Sequence, residues 1–253
     1  FELLREFRSR KLGIPILHDD QEGTAAAVLA ALSNGLRCSG KTIEDSTIVV
    51  SGLGAGGMST ARILVAAGAG TVLVADSEGA IHTGRSDLSE DAAWVAENTN
   101  PDGRTDDVRG LLAGADAFVG LSAPGIISAD DVRAMAADPV VLAMAWPEPE
   151  ISITEAADVA AVYGSGRPED PNQITSSLAY PGIWKGVLSC RAQRIDQQMV
   201  LAASRAIASS CGTAMCSDYV VPSVLSDELV DRVADAVRTT AEQTGSARAM
   251  VAV

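Results

Sequence analysis

The 253-residue chain has few aromatic residues and lacks any long apolar run. Aromatic side chains make up 4% of the sequence although hydrophobic residues make up 47%, so Ala, Val, Leu and Ile must fill the core of a globular protein. No apolar stretch reaches about eighteen residues, because Asp, Glu or Arg interrupts each one, and this argues against a membrane-spanning helix. No secretory signal is visible. We therefore expect a cytoplasmic protein without a membrane partner.

Lysine and cysteine are also scarce. Three lysines accompany sixteen arginines and the net charge is −14, an acidic balance that argues against nucleic acid or an anionic membrane as a partner. The simplest role of this acidity is to keep the protein soluble. Four cysteines fit neither a C-x-x-C zinc pattern nor a dense disulfide framework, and we expect reduced thiols at all of them: Cys38, Cys190, Cys211 and Cys216.

The most informative pattern is a strand, a glycine-rich turn and a helix in direct succession. The β-branched run at 46–50 predicts the strand, the run G-L-G-A-G-G at 52–57 predicts the turn, and residues 58–67 predict the helix. A second strand at 71–75 ends at Asp76. An acid at about this spacing accepts a hydrogen bond from a ribose hydroxyl in dinucleotide-binding domains.

Each glycine of the turn has its own predicted role. Gly52 permits the tight turn, Gly54 lets the backbone approach a pyrophosphate, and Gly57 lets the helix pack closely on the strand. The phosphates then lie at the helix N-terminus. The alternative is a glycine-rich turn that binds nothing. The predicted dinucleotide contacts are Gly52, Gly54, Ala55, Gly56, Gly57 and Asp76.

The rest of the chain alternates between short apolar runs and helical segments. We predict further strands at 117–121, 140–144 and 159–163, because runs of this kind form parallel strands buried on both faces. A polar stretch at 97–107 is expected to be mobile. The result is an α/β protein with a doubly wound, mostly parallel, Rossmann-like sheet and extra N- and C-terminal helices. Helices are predicted at 1–7, 25–36, 108–112, 129–137, 188–210 and 227–244.

Two regions are candidates for a ligand site. Loops rich in Pro and Gly at 122–125, 145–150 and 164–168 follow predicted strands, and open parallel sheets bind ligands beyond that edge. Any one of these loops is also explained by ordinary turn chemistry. Together they predict a cleft.

The second candidate is the acidic segment that precedes the helix at 25–36. Residues 14–17 predict a strand that ends in Asp19 and Asp20, which are suitable oxygen ligands for Mg²⁺ or Mn²⁺. Alternatively, Asp20 or Thr24 caps the helix. The two acids and one nearby His do not complete a metal site by themselves.

Residues 14–25 read I-P-I-L-H-D-D-Q-E-G-T-A and resemble the I-P-V-F-H-D-D-Q-H-G-T-A signature of bacterial malic enzymes. This family carries out the oxidative decarboxylation of malate with NAD or NADP and a divalent cation. The resemblance covers essentially the whole chain. Further segments similar to family motifs follow in family order, at 76–79, 85–88, 120–125, 147–151, 171–173, 178–183 and 221–223.

The resemblance implies a role for several residues. Asp20 is similar to a metal-ligating carboxylate of the family, for Mg²⁺ or Mn²⁺, and Asp19 is similar to its neighbouring catalytic aspartate. Ser122 and Pro124 lie in a segment similar to a cofactor-binding motif. NAD, or alternatively NADP, is the implied cofactor, a small 2-hydroxy acid is the implied substrate, and a homodimer is the implied assembly.

The resemblance also implies a division into domains. Residues 1–38 would belong with an N-terminal catalytic domain outside this sequence, 39–187 would form the dinucleotide-binding domain, and 188–253 would form C-terminal helices. In the family, that N-terminal domain carries the catalytic Lys and Tyr and a Glu-Asp pair that binds the metal. The chain therefore resembles a piece of a longer protein.

The predicted substrate pocket departs from the family pattern at three positions. Trp146 stands where the family has Asn, and Thr175 and Ser176 stand where it has two more Asn residues. Each lost hydrogen bond to a charged group is worth about 1.5–3 kcal/mol, so malate is expected to bind less well unless neighbouring residues compensate.

Three functional hypotheses follow from the sequence. Asp19 and Asp20 favour a metal-dependent oxidative decarboxylase. The absence of the Lys and Tyr from this sequence favours a catalytically silent dinucleotide-binding module. The changes at Trp146, Thr175 and Ser176 favour a dehydrogenase that acts on a different substrate without decarboxylation.

The choice of nucleotide rests on Asp76. An acid here would repel the 2′-phosphate of NADP, and no Arg occurs at 77–79, so the physical argument favours NAD. Members of the family keep this acid with either cofactor.

Overall fold

A six-stranded sheet forms the centre of the computed structural model, which describes residues 2–10 and 12–248. The strand order is β3-β2-β1-β4-β5-β6. Every neighbouring pair is parallel except β2 and β3, which are antiparallel. This arrangement confirms the predicted doubly wound, mostly parallel sheet. The strands are β1 (Thr47–Ser51), β2 (Thr71–Asp76), β3 (Gly79–Ala80), β4 (Ala117–Gly120), β5 (Val140–Ala143) and β6 (Val162–Ser165).

Helices cover both faces of the sheet, and further helices precede the first strand and follow the last one in the chain. Their bounds are α1 (Glu2–Ser9), α2 (Thr24–Cys38), α3 (Ala55–Ala67), α4 (Glu90–Asn98), α5 (Val108–Leu112), α6 (Ala129–Arg133), α7 (Ile153–Ala156), α8 (Tyr180–Ser189), α9 (Gln197–Ser209) and α10 (Leu229–Gln243). A π-helical turn spans Asp19–Gly23, and 3₁₀ turns span Ser176–Leu178 and Gly212–Ala214.

Two hydrophobic clusters lie on the two faces of the sheet. Ile48 and Val50 of β1 belong to the larger cluster, which includes side chains of α2, α3, α8, α9 and α10. Val49, between them, belongs to the smaller cluster with side chains of α5, α6 and α7. Because successive side chains of a strand point to opposite faces, a strand covered on both sides needs a continuous apolar run.

Some predicted elements differ from those observed. Residues 14–18 form no strand, and the acids that follow them begin the π-helical turn. The helix predicted at 188–210 begins only at Gln197, as α9, and residues 188–189 are the end of a separate helix, α8. Asp196 caps the N-terminus of α9 by accepting from the Met199 N–H at 3.0 Å. β6 begins at Val162 because the backbone at 159–160 continues the turn of α7, with the Ala160 N–H donating to the Ala156 carbonyl.

The polar stretch at 97–107 is held in place by Asn100. Its side chain is 5% exposed and donates to the carbonyl groups of Ile81 and Arg104 at 3.0 and 2.8 Å. The side-chain oxygen accepts from the Arg104 N–H at 2.8 Å. Asn100 adopts a left-handed φ of 51°, a conformation that Asn tolerates better than most residues.

Within the described part of the chain, no helix is both long enough and apolar enough to cross a bilayer.

Candidate functional site

The turn between β1 and α3 lies where the strand order reverses. Gly52 has a φ of 110°, and a Cβ atom there would lie 2.3 Å from the Leu121 carbonyl oxygen. A Cβ atom on Gly57 would lie 1.9 Å from the Gly52 carbonyl oxygen. The fold itself therefore requires both glycines, the first for a left-handed turn and the second for close packing of helix on strand.

Gly54 differs from these two glycines. Its φ of −75° suits any residue, and a Cβ atom there would meet nothing within 4 Å. Packing therefore does not explain its presence. Gly54 is the N-cap of α3, and no side chain caps the free N–H groups of this 13-residue helix. Those N–H groups suit an anion such as a pyrophosphate, and a glycine leaves room for it to approach.

One cleft brings together the glycine turn, the acidic segment and the ends of the central strands. Predicted site residues at seven positions line it. The other six predicted residues do not line it: Asp19, Gly52, Gly57, Asp76, Ser122 and Pro124. The seven are Asp20, Gly54, Ala55, Gly56, Trp146, Thr175 and Ser176, joined by Thr24, Ala27, Leu121, Met144, Gly166 and Ile174.

Asp76 lies at the end of β2, where the acid was predicted. Its carboxylate accepts from the Glu78 N–H at 2.9 Å and from the Arg85 guanidinium at 2.7 Å. Arg85 also pairs with Asp87, and this pairing lowers the pKa of Asp87 to about 2. Although no Arg occurs at 77–79, the fold thus places the cation of Arg85 next to Asp76.

Asp19 is enclosed by the π-helical turn and the 3₁₀ turn that begins at Ser176. The Ser176 hydroxyl donates to one carboxylate oxygen of Asp19 at 2.6 Å. The other oxygen is buried without a hydrogen-bond partner, and a Cβ atom on Gly23 would lie 2.4 Å from it. Buried acceptors are rarely left unsatisfied, so this oxygen is suited to a proton donor that enters with a ligand.

The alternative in which Asp20 or Thr24 caps the helix is wrong. Neither the π-helical turn nor α2 has a side-chain hydrogen bond at its N-cap. Asp20 is instead exposed and lines the cleft. No group of three or more His, Cys, Asp or Glu side chains suited to a metal occurs among the described residues. Asp20 therefore fits as one ligand of a cation and does not make a complete site.

The three residues that depart from the family pattern are placed differently from one another. Trp146 follows β5, is 71% exposed and forms a cis peptide bond with Pro147. Thr175 caps the 3₁₀ turn by accepting from the Ser177 N–H at 3.4 Å, and Ser176 donates to Asp19. Both hydroxyls are thus used within the protein, whereas the indole faces the cleft and solvent.

Glu150 was not among the predicted site residues. Its side chain is 0% exposed, and one oxygen accepts from the Ser122 N–H and the other from the Ala145 N–H, each at 2.9 Å. Burial raises the pKa of Glu150, and these backbone donors oppose the rise. An acid between Pro149 and Ile151 was the only sign of this role in the sequence.

A second cavity lies between α1, α3, α4 and α9. Its arginines are balanced by acids: Arg8 pairs with Glu22, and Arg5 and Arg62 both approach Asp91. Arg62 also lies over the Trp94 ring, with 5.1 Å between the guanidinium carbon and the ring centroid. The paired charges leave no net attraction for an ionic ligand, unlike the open helix N-terminus in the cleft.

The strand order, the glycine turn and the open N-terminus of α3 define a Rossmann-like dinucleotide-binding domain. A family model described as the NAD-binding domain of malic enzyme matches residues 21–242. The chain belongs to the malic enzyme family.

Individual relatives agree with this assignment. The chain is 43% identical to the NAD-dependent malic enzyme of Geobacillus stearothermophilus, over 98% of this chain and 52% of that protein. It is 38% identical to the bifunctional malic/malolactic enzyme of Bacillus subtilis, over 98% of this chain and 62% of that protein. The chain thus spans about half to three fifths of the length of these relatives.

A solved structure of similar fold is the malic enzyme of Pyrococcus horikoshii. It superposes with a TM-score of 0.90 at 35% identity, over 95% of this chain and 58% of that one. The malic enzyme of Entamoeba histolytica gives a TM-score of 0.89 at 34% identity, over 95% of this chain and 51% of that one.

Proposed function

We propose that this chain is the dinucleotide-binding part of an NAD(P)-dependent, divalent-metal-dependent enzyme that oxidatively decarboxylates malate or a related 2-hydroxy acid. The observation that carries the proposal is the cleft in which the open N-terminus of α3 and Asp20 of the π-helical turn meet. The relatives named above are NAD-dependent or bifunctional malic enzymes. A relative from Halomonas elongata is an NADP-dependent malic enzyme.

The residues of the chain divide the work between two ends of the cleft. The backbone of Gly54, Ala55 and Gly56 would hold the pyrophosphate, and Asp76 would accept from a ribose hydroxyl. Ser122 and Pro124, after β4, would face the nicotinamide half. When bound, the nicotinamide would supply the hydride acceptor, and the loops that follow β4 and β5 would orient it.

At the other end of the cleft, Asp20 would supply one carboxylate ligand to Mg²⁺ or Mn²⁺. Because the described residues offer no complete site, the remaining ligands would come from another part of the protein. Asp19 would act beside the substrate, where its unpaired oxygen can accept a hydrogen bond or a proton. We place residues 1–38 with an N-terminal catalytic domain, 39–187 in the dinucleotide-binding domain and 188–253 in the C-terminal helices.

We also propose a cytoplasmic homodimer. All four cysteines are free, in agreement with a reducing compartment. Leu3, Phe7, Leu12 and Ile14 are 45–68% exposed, and a neighbouring domain or subunit would cover this apolar surface. Light scattering on the full-length protein tests the dimer: a mass of one chain at micromolar concentration would contradict it.

A second candidate function is oxidation of a different 2-hydroxy acid without decarboxylation. It is favoured by the position of Trp146 in the cleft and by the use of Ser176 as a partner of Asp19. The test is steady-state kinetics of the full-length protein with Mn²⁺ and NAD, and with malate and larger 2-hydroxy acids in parallel. NADH with an equal yield of CO₂ supports the first function, whereas NADH without CO₂ supports the second.

A further inference from the structure

The buried carboxylate of Glu150 joins two neighbouring strands just beyond their ends. Gly120 at the end of β4 is in register with Ala143 at the end of β5. The two N–H groups that donate to Glu150 belong to Ser122 and Ala145, each two residues beyond the end of its strand. The side chain therefore replaces backbone pairing at the point where the two strands separate to form the cleft.

Space for this carboxylate is provided by Gly120. A Cβ atom there would lie 2.3 Å from the Glu150 carboxyl carbon and 2.6 Å from each of its oxygens. Complete burial of a charged group is costly unless its hydrogen bonds are made. Two N–H donors require an acceptor at both oxygens, which an ionised carboxylate provides.

The cleft wall lies directly against these contacts. Leu121 and Met144 precede the two donor residues, Trp146 follows the second, and all three line the cleft. No Lys or Arg is among the described residues that line it. No lining cation therefore offsets the negative charge of Glu150 in the part of the cleft between β4 and β5.

We propose that Glu150 is a positioning residue for the nicotinamide ring, and that its charge favours the oxidised, cationic form of that ring over the reduced form. In a doubly wound sheet the nicotinamide half of a dinucleotide lies on the side of the switch point formed here by β4, β5 and β6. The carboxylate sets the spacing of the loops on that side and places a negative charge behind them. This inference rests on the proposed function, because it requires a nicotinamide nucleotide in the cleft.

The experiment separates charge from position with two variants. Glu150→Gln keeps the length of the side chain and removes its charge, whereas Glu150→Asp keeps the charge and withdraws it by one methylene. Calorimetry gives the Kd of NAD⁺ and of NADH for each protein, and circular dichroism and thermal unfolding confirm that each variant is folded. None of these three measurements depends on catalytic turnover.

We expect Glu150→Gln to weaken NAD⁺ binding about five- to tenfold more than NADH binding, since the carboxylate would attract the cationic oxidised ring and not the neutral reduced ring. Glu150→Asp should weaken both nucleotides by a similar factor and preserve their ratio, because it disturbs only the loops. Asp116→Asn is the matched control. Asp116 precedes β4 and accepts from the Thr47 N–H at 2.9 Å, at the ends of the strands away from the cleft, so removal of its charge should leave the ratio of the two Kd values unchanged.

Equal weakening of both nucleotides by Glu150→Gln, or no weakening of either, would overturn the role of the charge while the wild-type protein still binds. A wild-type chain that binds neither nucleotide would overturn the proposed function and this inference with it. The two failures are therefore distinguished by the wild-type titration alone.

Discussion

The two ends of the cleft are built in different ways. The glycine turn at 52–57 is mostly local: β1, the turn and α3 follow one another in the chain, although Gly52 also packs against the Leu121 carbonyl beyond β4. The acidic end depends on residues far apart, since Asp19 and Ser176 are separated by 157 positions. It also leaves one buried carboxylate oxygen unpaired. The nucleotide end, the glycine turn where we propose that the dinucleotide binds, is thus built mainly from one stretch of the chain. The substrate end, the acidic segment where we propose that the substrate binds, is assembled from distant stretches.

The largest effect on nucleotide binding is expected from Gly54→Val in the glycine turn. The branched side chain fills the open space above the N-terminus of α3, so NAD binding should fall by about two orders of magnitude as charge-assisted hydrogen bonds worth about 1.5–3 kcal/mol each are lost. The fold should persist, because nothing lies within 4 Å of the new Cβ atom. Calorimetry and thermal unfolding measure the two effects.

Gly57→Ala is the contrasting variant at the same turn. Its Cβ atom would lie 1.9 Å from a backbone oxygen, so the free energy of unfolding should fall by about 1–3 kcal/mol, as for other overpacked sites. Normal NAD binding by Gly54→Val, or an undisturbed fold in Gly57→Ala, would contradict the distinction between the two glycines.

The substrate end is tested by restoring the family pattern. A triple variant with Trp146→Asn, Thr175→Asn and Ser176→Asn should raise kcat/KM for malate about tenfold or more in the full-length protein, because each amide can add a hydrogen bond to a carboxylate. An amide at 176 can still donate to Asp19. Efficient malate turnover by the wild type, or no gain in the variant, would show that neighbouring residues already compensate.

The contact between Asp19 and Ser176 is tested by Ser176→Ala. Removal of the hydroxyl leaves both carboxylate oxygens of Asp19 without a side-chain donor, so the free energy of unfolding should fall by about 1–3 kcal/mol. Ser177→Ala is the matched control, since Ser177 is exposed and only its backbone N–H is bonded. Urea unfolding measures both, and equal stability of the two variants would argue against this contact.

The smallest expected effect concerns the choice of nucleotide. Arg85 pairs with Asp76 at 2.7 Å and offsets the charge that would repel a 2′-phosphate. The wild type should therefore prefer NAD only modestly, and Arg85→Ala should increase the preference about three- to tenfold by leaving that charge uncompensated. Arg133→Ala, at an exposed pair with Asp130, is the control. Calorimetry with NADP and NAD decides, and an unchanged ratio would exclude this role for Arg85.

Sequence reasoning succeeded where a pattern is local. The β-branched run before Gly52 and the apolar runs of β4 and β5 predicted the strands of the sheet, and the glycine run predicted the turn before α3, because strand, turn and helix preferences act over a few neighbouring residues. It failed at residues 14–17 and at the break between α8 and α9. There, the π-helical turn and the hydrogen bonds of Asp196 with Thr244 and Ser246 depend on distant parts of the chain.

The amino-acid sequence by itself determined the class of fold, the glycine turn and the family of the protein, because each of these can be recognised from patterns of neighbouring residues. Only the tertiary structure decided what each side chain contacts. It paired Arg85 with Asp76, enclosed Asp19 behind Ser176 and placed Glu150 between the ends of β4 and β5. The physical reason is that charges and hydrogen bonds act over a few ångströms in space. Groups that are far apart in the sequence come that close only when the strands and helices have packed together.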